Sequence, residues 1–325
     1  MSIKIREASP EDSEEICLIH CSDVDHWYKQ DGDQKIQVQY EELTPIEHWR
    51  QGGPWMDLGL CRQYLKNGIQ RLGITPLIAT VNNRCVGEAE FVLCHEPEPY
   101  FDFGYLTTIV VHKDVRRRGI GTKLVKECMK RTADAGLRFF DTVPEGVALN
   151  LYNKLGMMKW KEFPVLSLPI NKRRLNLKHT YTEVEKSYDP TDDFSVIIDH
   201  WYPAKYRWTY FHDEEYRRFY SAKKQKIVQM QLENHEVIVA LDHWPWNNTA
   251  GRFILFINPY SPLKIKELTQ IVPVVNELSI EMDFTSLDAR GVDPEIIQKE
   301  DLESLGFTGQ PVLKKTSFLY LRGQV

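Results

Sequence analysis

No stretch of the 325 residues stays apolar long enough to span a bilayer, and the opening segment, charged from Lys4 onward, lacks the apolar centre of a secretory leader. No membrane partner is expected, and a cytoplasmic location is. Cysteine is scarce: Cys17, Cys21, Cys61, Cys85, Cys94 and Cys128 are too few and too irregular for a disulfide scaffold in a chain of this length. They read as reduced thiols. Cys17, His20 and Cys21 would share one helix face, but no second ligand pair follows at zinc-site spacing, so no metal is expected. An excess of positive charge is missing too: 41 Lys and Arg stand against 46 Asp and Glu, a net charge of -5. A nucleic-acid partner is therefore not expected, and any anion site must be local.

What is present fits two globular domains, because the length exceeds what one hydrophobic core usually organises. Alternation and end signals predict a strand over residues 3–8, a helix to Cys21, and then an aromatic-rich insertion with Trp27, Tyr28, Tyr40, Trp49 and Trp55. A second helical stretch covers 56–72. Three consecutive strands follow at 77–81, 84–94 and 103–112, then a helix over 119–135, a strand over 137–143, a helix over 146–155 and a strand over 163–170. The polar stretch after Asn171 marks a boundary, giving domains at 1–172 and 194–325 joined by a linker at 173–193. In the second domain strands are expected at 236–241, 252–258, 279–287 and 317–321 and helices at 264–278 and 294–305. That order echoes the later part of the first domain. The fold class is α/β in the mixed α+β sense: mixed, mostly antiparallel sheets flanked by helices, in two tandem domains.

The segment that carries chemistry is Ile109-Val110-Val111-His112-Lys113-Asp114-Val115-Arg116-Arg117-Arg118-Gly119-Ile120-Gly121-Thr122. It is a strand, a basic turn, glycines and a helix start. The first amides of a helix have no partner inside it, the helix dipole adds positive potential, and glycines let a pyrophosphate approach the backbone. Arg116, Arg117 and Arg118 supply charge, and Thr122 a hydroxyl. A P-loop would need Gly-Lys-Ser/Thr, whereas Gly121-Thr122-Lys123 reverses the order. A dinucleotide fingerprint would need a third glycine where Leu124 stands.

The spacing does match R-x-x-G-x-G, and residues 1–170 resemble the GNAT superfamily of N-acetyltransferases, with Ala148 and Leu151-Tyr152-Asn153-Lys154-Leu155-Gly156-Met157 resembling that family's A-x-x-L-Y-x-K-x-G-F. The resemblance implies acetyl-CoA as co-substrate, its pyrophosphate over Gly119, Ile120, Gly121 and Thr122. It also implies a pantetheine arm paired like an added strand with Ile109, Val110 and Val111. Tyr152 then stands where the family's tyrosine assists the departing thiolate. The implied reaction is direct attack of a primary amine, from a small molecule or a peptide, on the thioester in a ternary complex.

Such an amine must lose a proton. Family members often carry Glu or His where this chain has Tyr105 and Thr107, neither of which is a base. If the hairpin folds symmetrically about Pro97, Glu88 faces Thr107 and Glu90 faces Tyr105, making Glu88 or Glu90 the candidate base or, equally, a solvated carboxylate. A non-catalytic acyl-CoA-binding module stays open as the alternative, and monomer and homodimer stay open as states. The second domain resembles a degenerate copy of the first. Where the first has its arginines and glycines, the second has Asn258-Pro259-Tyr260-Ser261-Pro262-Leu263, whose prolines remove amide donors. One coenzyme A per chain is expected.

Overall fold

The computed structural model describes residues 2–309 and 315–321, apart from Trp55, Glu145, Trp201, Ser261 and residues 174–176, 178–179, 186–187, 213–224 and 245–246. The chain opens with strand β1 (Lys4–Glu7) and helix α1 (Ser13–Cys21). The aromatic insertion then forms a hairpin, β2 (Trp27–Asp31) and β3 (Gln34–Val38), followed by short helices α2 (Pro45–Arg50), α3 (Leu58–Gln63) and α4 (Ile69–Leu72). A π-helical turn over Tyr64–Gly68 joins the last two.

Strands β4 (Ile74–Val81), β5 (Arg84–Cys94) and β6 (Phe103–Val111) form the expected antiparallel meander. Helix α5 (Ile120–Asp134) crosses to β7 (Phe139–Thr142), which runs parallel to β6. Helix α5 buries Ile120, Leu124, Val125, Cys128 and Met129, three and four residues apart, against one face of the sheet. Its approach is close: a Cβ added to Gly104 would lie 2.1 Å from Thr132 Oγ1, so only glycine lets β6 and α5 come together there. Helix α1 covers the opposite face with α3 and α4. Because both faces are covered, β5 is buried on either side, with Ala89 and Phe91 under α5 and Val92 and Cys94 under the other helices.

After helix α6 (Leu149–Lys154) the expected strand over 163–170 is two strands, β8 (Met158–Phe163) and β9 (Val165–Pro169), separated at Pro164. They belong to different sheets. The remaining elements are β10 (Thr182–Glu183), β11 (Ser195–Ile198), α7 (Ala204–His212), β12 (Gln225–Gln231), β13 (Glu236–Trp244), β14 (Asn247–Ile257), α8 (Ile265–Glu281), β15 (Ser286–Arg290), α9 (Lys299–Ser304), β16 (Thr308–Gly309) and β17 (Lys315–Leu321). Helix α8 continues through Glu281, so the strand expected from residue 279 begins only at Ser286.

The first sheet has the order β1-β4-β5-β6-β7-β17-β8 and the second β10-β12-β13-β14-β15-β9-β16. Position by position these are the same topology, each with one parallel pair, β6 with β7 and β14 with β15, joined through a helix. The exchange of a strand is reciprocal. The C-terminal β17 lies between β7 and β8 in the first sheet, while β9 lies between β15 and β16 in the second. Neither sheet is complete without a strand from the other half of the chain.

A buried ion pair reinforces this junction. Lys161 on β8 places its ammonium 2.7 Å from Asp293, with side chains 6% and 0% exposed, and Asp293 also accepts from the Tyr100 hydroxyl. Removing one partner of such a pair leaves an uncompensated charge in a low dielectric. Among the described residues no helix is long and apolar enough to cross a membrane.

Two outcomes follow. Asp293→Ala should lower unfolding stability by about 3–5 kcal/mol in denaturant titration, whereas breaking an exposed pair such as Lys130 with Asp134, 63% and 61% exposed, should cost far less. Truncation before Lys315 should leave β7 and β8 without the strand that bridges them. Hydrogen exchange would then show protection lost across Phe139–Thr142 and Met158–Phe163, and protection unchanged there would refute a structural role for the exchanged strand.

Candidate active site

The parallel pair of β6 and β7 is short, joining only Phe103, Gly104 and Tyr105 to Phe139, Phe140 and Asp141. Beyond it the Thr142 hydroxyl donates to the Leu106 carbonyl at 3.1 Å, and the strands then separate. Over residues 107–111 no described strand pairs with the edge of β6 that faces away from β5. Ile109, Val110 and Val111 lie on this open edge, half-buried, and run directly towards the basic turn.

The turn is held in shape by its own charges. Arg116 donates from Nε to the Val111 carbonyl at 2.7 Å and from a terminal nitrogen to Asp23 at 2.8 Å. Lys113 donates its amide to Ser22 Oγ at 3.1 Å and pairs through its ammonium with Asp25 at 2.5 Å, so the end of α1 clamps the turn. Arg117 has a φ of 64° and Gly119 a φ of 80°, the left-handed backbone that swings the chain into α5. At Gly119 the conformation requires glycine. Arg117 and Arg118 are exposed beside the helix start, where the amides of Ile120, Gly121 and Thr122 have no carbonyl within the helix to bind. A Cβ at Gly121 would make ordinary contacts, 3.5 Å to Leu151, 3.7 Å to Val111 and 3.8 Å to Ile109, which places this glycine where α5, α6 and the open edge converge. The arrangement can hold an anionic group over the helix and an extended chain along the strand.

The hairpin does not fold symmetrically about Pro97. Glu88 lies opposite Val110 and Glu90 opposite Thr108, and a bulge at Thr107 separates the latter pair from Phe91 opposite Leu106. The expected facing of Glu88 with Thr107 and Glu90 with Tyr105 is therefore corrected by three residues in register, because the loop is longer on the β6 side and the bulge absorbs one more. The same-face expectation survives: Glu88, Glu90, Val92, Thr108 and Tyr105 point towards α1 and α3. Solvated carboxylates they are not. Glu88 is 2% and Glu90 6% exposed.

Each has a distinct partner. His20 Nε2 lies 2.6 Å from Glu88 Oε2, and although burial works against an imidazolium, the Glu88 hydrogen bond and charge hold the His20 pKa above its ordinary value. Glu90 accepts from the Tyr64 hydroxyl at 3.1 Å; burial and then the Glu88 charge raise its pKa to about 8. Two neighbouring carboxylates thus have different surroundings, Glu88 bonded to histidine and Glu90 raised towards proton-holding near neutral pH. His20 and Tyr64 were not expected here. Both come from elements distant in sequence, and only the even spacing of Glu88 and Glu90 hinted at a shared face.

Tyr152 is 2% exposed in the apolar cluster with Ile120, Leu124, Phe140 and Met157, on the α5 face of the sheet rather than the carboxylate face. Its neighbour Leu151 lies 3.5 Å from where a Cβ on Gly121 would stand.

In the second half, β14 pairs with β15 only at Ala250, Gly251 and Arg252, and the edge that opens beyond is occupied. Strand β11 pairs there, with Ser195 opposite Ile257 and Val196 opposite Phe256. The loop that follows, Asn258 to Leu263, contains Tyr260, 67% exposed; Ser261 lies outside the described residues.

Comparison with known proteins agrees with this architecture. The chain resembles a GCN5-related N-acetyltransferase from Kribbella flavida over 98% of its own length and 71% of that protein's, with 9% identity and a TM-score of 0.56. It resembles another from Anabaena variabilis ATCC 29413 over 98% and 73%, with 10% identity and the same TM-score of 0.56. At such identities the likeness is one of fold. A comparison with curated proteins finds no match. Residues 37–157, which hold the splayed strands, the basic turn and the buried carboxylates, match the model of the acetyltransferase (GNAT) family.

Proposed function

We propose that the chain is an N-acyltransferase that moves an acetyl group from acetyl-CoA to a primary amine by direct attack in a ternary complex. One observation carries the reading: the edge of β6 over residues 107–111, unpaired among the described residues, leads straight into the glycine-bearing start of α5. Along that edge Ile109, Val110 and Val111 would pair with the pantetheine amides, and the first amides of α5 with Arg117 and Arg118 would hold the pyrophosphate. Arg116, bound to Asp23 and to the Val111 carbonyl, shapes the turn.

The amine nitrogen attacks the thioester carbon, the C–S bond breaks, and the sulfur leaves as thiolate. Glu90 is the proposed acceptor of the amine proton, since a carboxyl that titrates near the operating pH suits general-base work. Glu88, committed to His20, raises Glu90 by its charge. Tyr152 is the proposed donor to the thiolate, from its place in the Leu151-Tyr152-Asn153-Lys154 run of α6. In the second half the equivalent edge already carries β11, so the proposed stoichiometry is one coenzyme A per chain. The burial of Glu90 favours one other reading, acyl-CoA bound but not consumed.

Calorimetry should give one acetyl-CoA per chain, and Gly121→Asp, which sets a like charge against the pyrophosphate, should weaken it at least about tenfold. A stoichiometry near two, or an unchanged affinity in the folded variant, would remove the assignment. With a reactive amine, kcat/KM should rise with pH through an inflection near 8, and Glu90→Gln should cut it by roughly 100-fold and flatten that limb.

The stability readout is independent. A carboxyl raised in the folded state is favoured neutral, so Glu90 weakens the fold as pH climbs from the ordinary carboxylate range through about 8. Glu90→Gln should thus gain roughly 1–3 kcal/mol at pH 8–9 and little at pH 4. A gain independent of pH would contradict the raised pKa.

A further inference from the structure

One carboxyl ties the two halves of the chain together at both ends of a short segment. Glu96, in the loop between β5 and β6, accepts from the Ser195 hydroxyl at the start of β11 and from the Ala204 amide at the start of α7, both at 2.7 Å. Its own amide donates to Asp102 at 3.2 Å, which fixes the loop side of the contact. The residue as a whole is half-buried, with its carboxyl end enclosed. Between the tied ends lie His200 and Tyr202, whose rings stand 4.8 Å from that of Tyr100 and 6.1 Å from that of Tyr105. Releasing Glu96 would loosen what sets those rings against the first half.

Among the described residues no cation is bonded to this carboxyl. The charged groups around it are matched elsewhere: Asp102 by His95 at 2.9 Å in the same loop, Lys161 of β8 by Asp293 at 2.7 Å and Glu295 at 3.1 Å, Arg207 of α7 by Asp199 at 2.5 Å, and Lys205 of α7 by Asp189. Asp141 of β7, which lines the same slot between the halves, brings no positive charge. Burial keeps Cys94 of β5, Tyr100 and Tyr105 of β6 neutral, and holds the His200 pKa below its ordinary value, towards the neutral ring. Burial therefore dominates at Glu96 and, against its two donors and with a small addition from Asp102, raises its pKa to about 7.

The two partners suit the protonated form. The Ala204 amide can only donate and takes one oxygen, whereas the Ser195 hydroxyl can turn from donor to acceptor and receive the proton on the other. Both forms of the carboxyl are thus bonded while the contact is closed, but the ionised form has more to gain from water. Once the contact opens and the carboxyl is hydrated, its pKa falls back to the ordinary carboxylate value, so the closed state binds more protons than the open one. Between those two values each unit of rising pH favours opening about tenfold, and above about 7 the effect levels off.

We propose that Glu96 is a proton-operated latch between the halves, closed while it carries its proton and loosened when ionised, so that the stretch from Asp199 to Ala204 and the rings it carries respond to pH. The latch stands on its own contacts, whether or not the chain transfers acyl groups.

Hydrogen exchange of the full chain, corrected for intrinsic rates, would be read at the amides of Tyr202, bonded to the Asp199 carbonyl, and Ala204, bonded to Glu96, and compared with those of Ala89 and Phe91 in β5. Expected is a loss of protection of about tenfold at Tyr202 and Ala204 from pH 6 to pH 8, unmatched in β5. Glu96→Gln, an uncharged side chain that can donate to Ser195 and accept from Ala204, should abolish that loss and keep at least the protection seen at pH 6. His200 and Glu90 are retained in this variant, so a contribution from either cancels in the comparison. Protection at Tyr202 and Ala204 independent of pH in the unmodified chain, a loss shared equally by β5, or the same loss in Glu96→Gln would overturn the latch. Should the variant not fold, the first two outcomes still decide from the unmodified chain alone.

Discussion

A parallel strand pair that separates after three residues leaves a row of backbone donors and acceptors in a half-buried cleft, and most of this molecule can be understood from how that row is satisfied. Unpaired main-chain groups away from water are costly, so such an edge must find a partner or remain wet. In the first half no described strand covers the edge over residues 107–111, which lies beside a helix start with unsatisfied amides. In the second half, with the same strand order, the chain supplies its own partner in β11. The same strand order thus has two outcomes: one edge with no described strand on it, one sealed.

The carboxylate cluster shows the same economy of context. Glu88 and Glu90 are chemically alike and two residues apart on one strand, yet Glu88 is bonded to His20 while burial and then the Glu88 charge make Glu90 a weak acid. Their separation follows from two contacts made by helices on the same face, and from the absence of bulk water that would otherwise level them. The bulge at Thr107 contributes by restoring alternation after Leu106, so that Thr108 and Val110 return to the carboxylate face.

How much of this the sequence discloses depends on how local the determinant is. The basic turn was legible because glycine conformation, helix-start amides and arginine charge all act within a few residues of Gly119. The meander and the long helices were legible from periodicity. The hairpin register was not, since a bulge moves every pairing beyond it and leaves no fixed residue signature. Nor were His20 and Tyr64, which reach the carboxylates from helices 68 and 26 residues away in sequence. Strand β11 has only Ser195, Val196, Ile197 and Ile198 to announce it, too short a run to separate from loop. The exchange of β9 and β17 is wholly non-local: each strand has the same alternation it would need in either sheet.

That exchange bears on why a sealed copy persists beside an open one. Segment 195–204 begins as the strand that fills the second edge, and its two ends are fixed to the first half through Glu96, by the Ser195 hydroxyl and the Ala204 amide. Between them it carries His200, its ring tilted 39° against that of Tyr100 at 4.8 Å, and Tyr202 against Tyr105. A loop alone would present those rings loosely; anchored in a ladder at one end and under a helix start at the other, they are held rigidly against the first sheet. Filling the second edge and walling the first cleft are therefore performed by one stretch of chain, and the occupancy of the one supplies the rigidity of the other. A copy that had kept its edge open would have had no such strand to give.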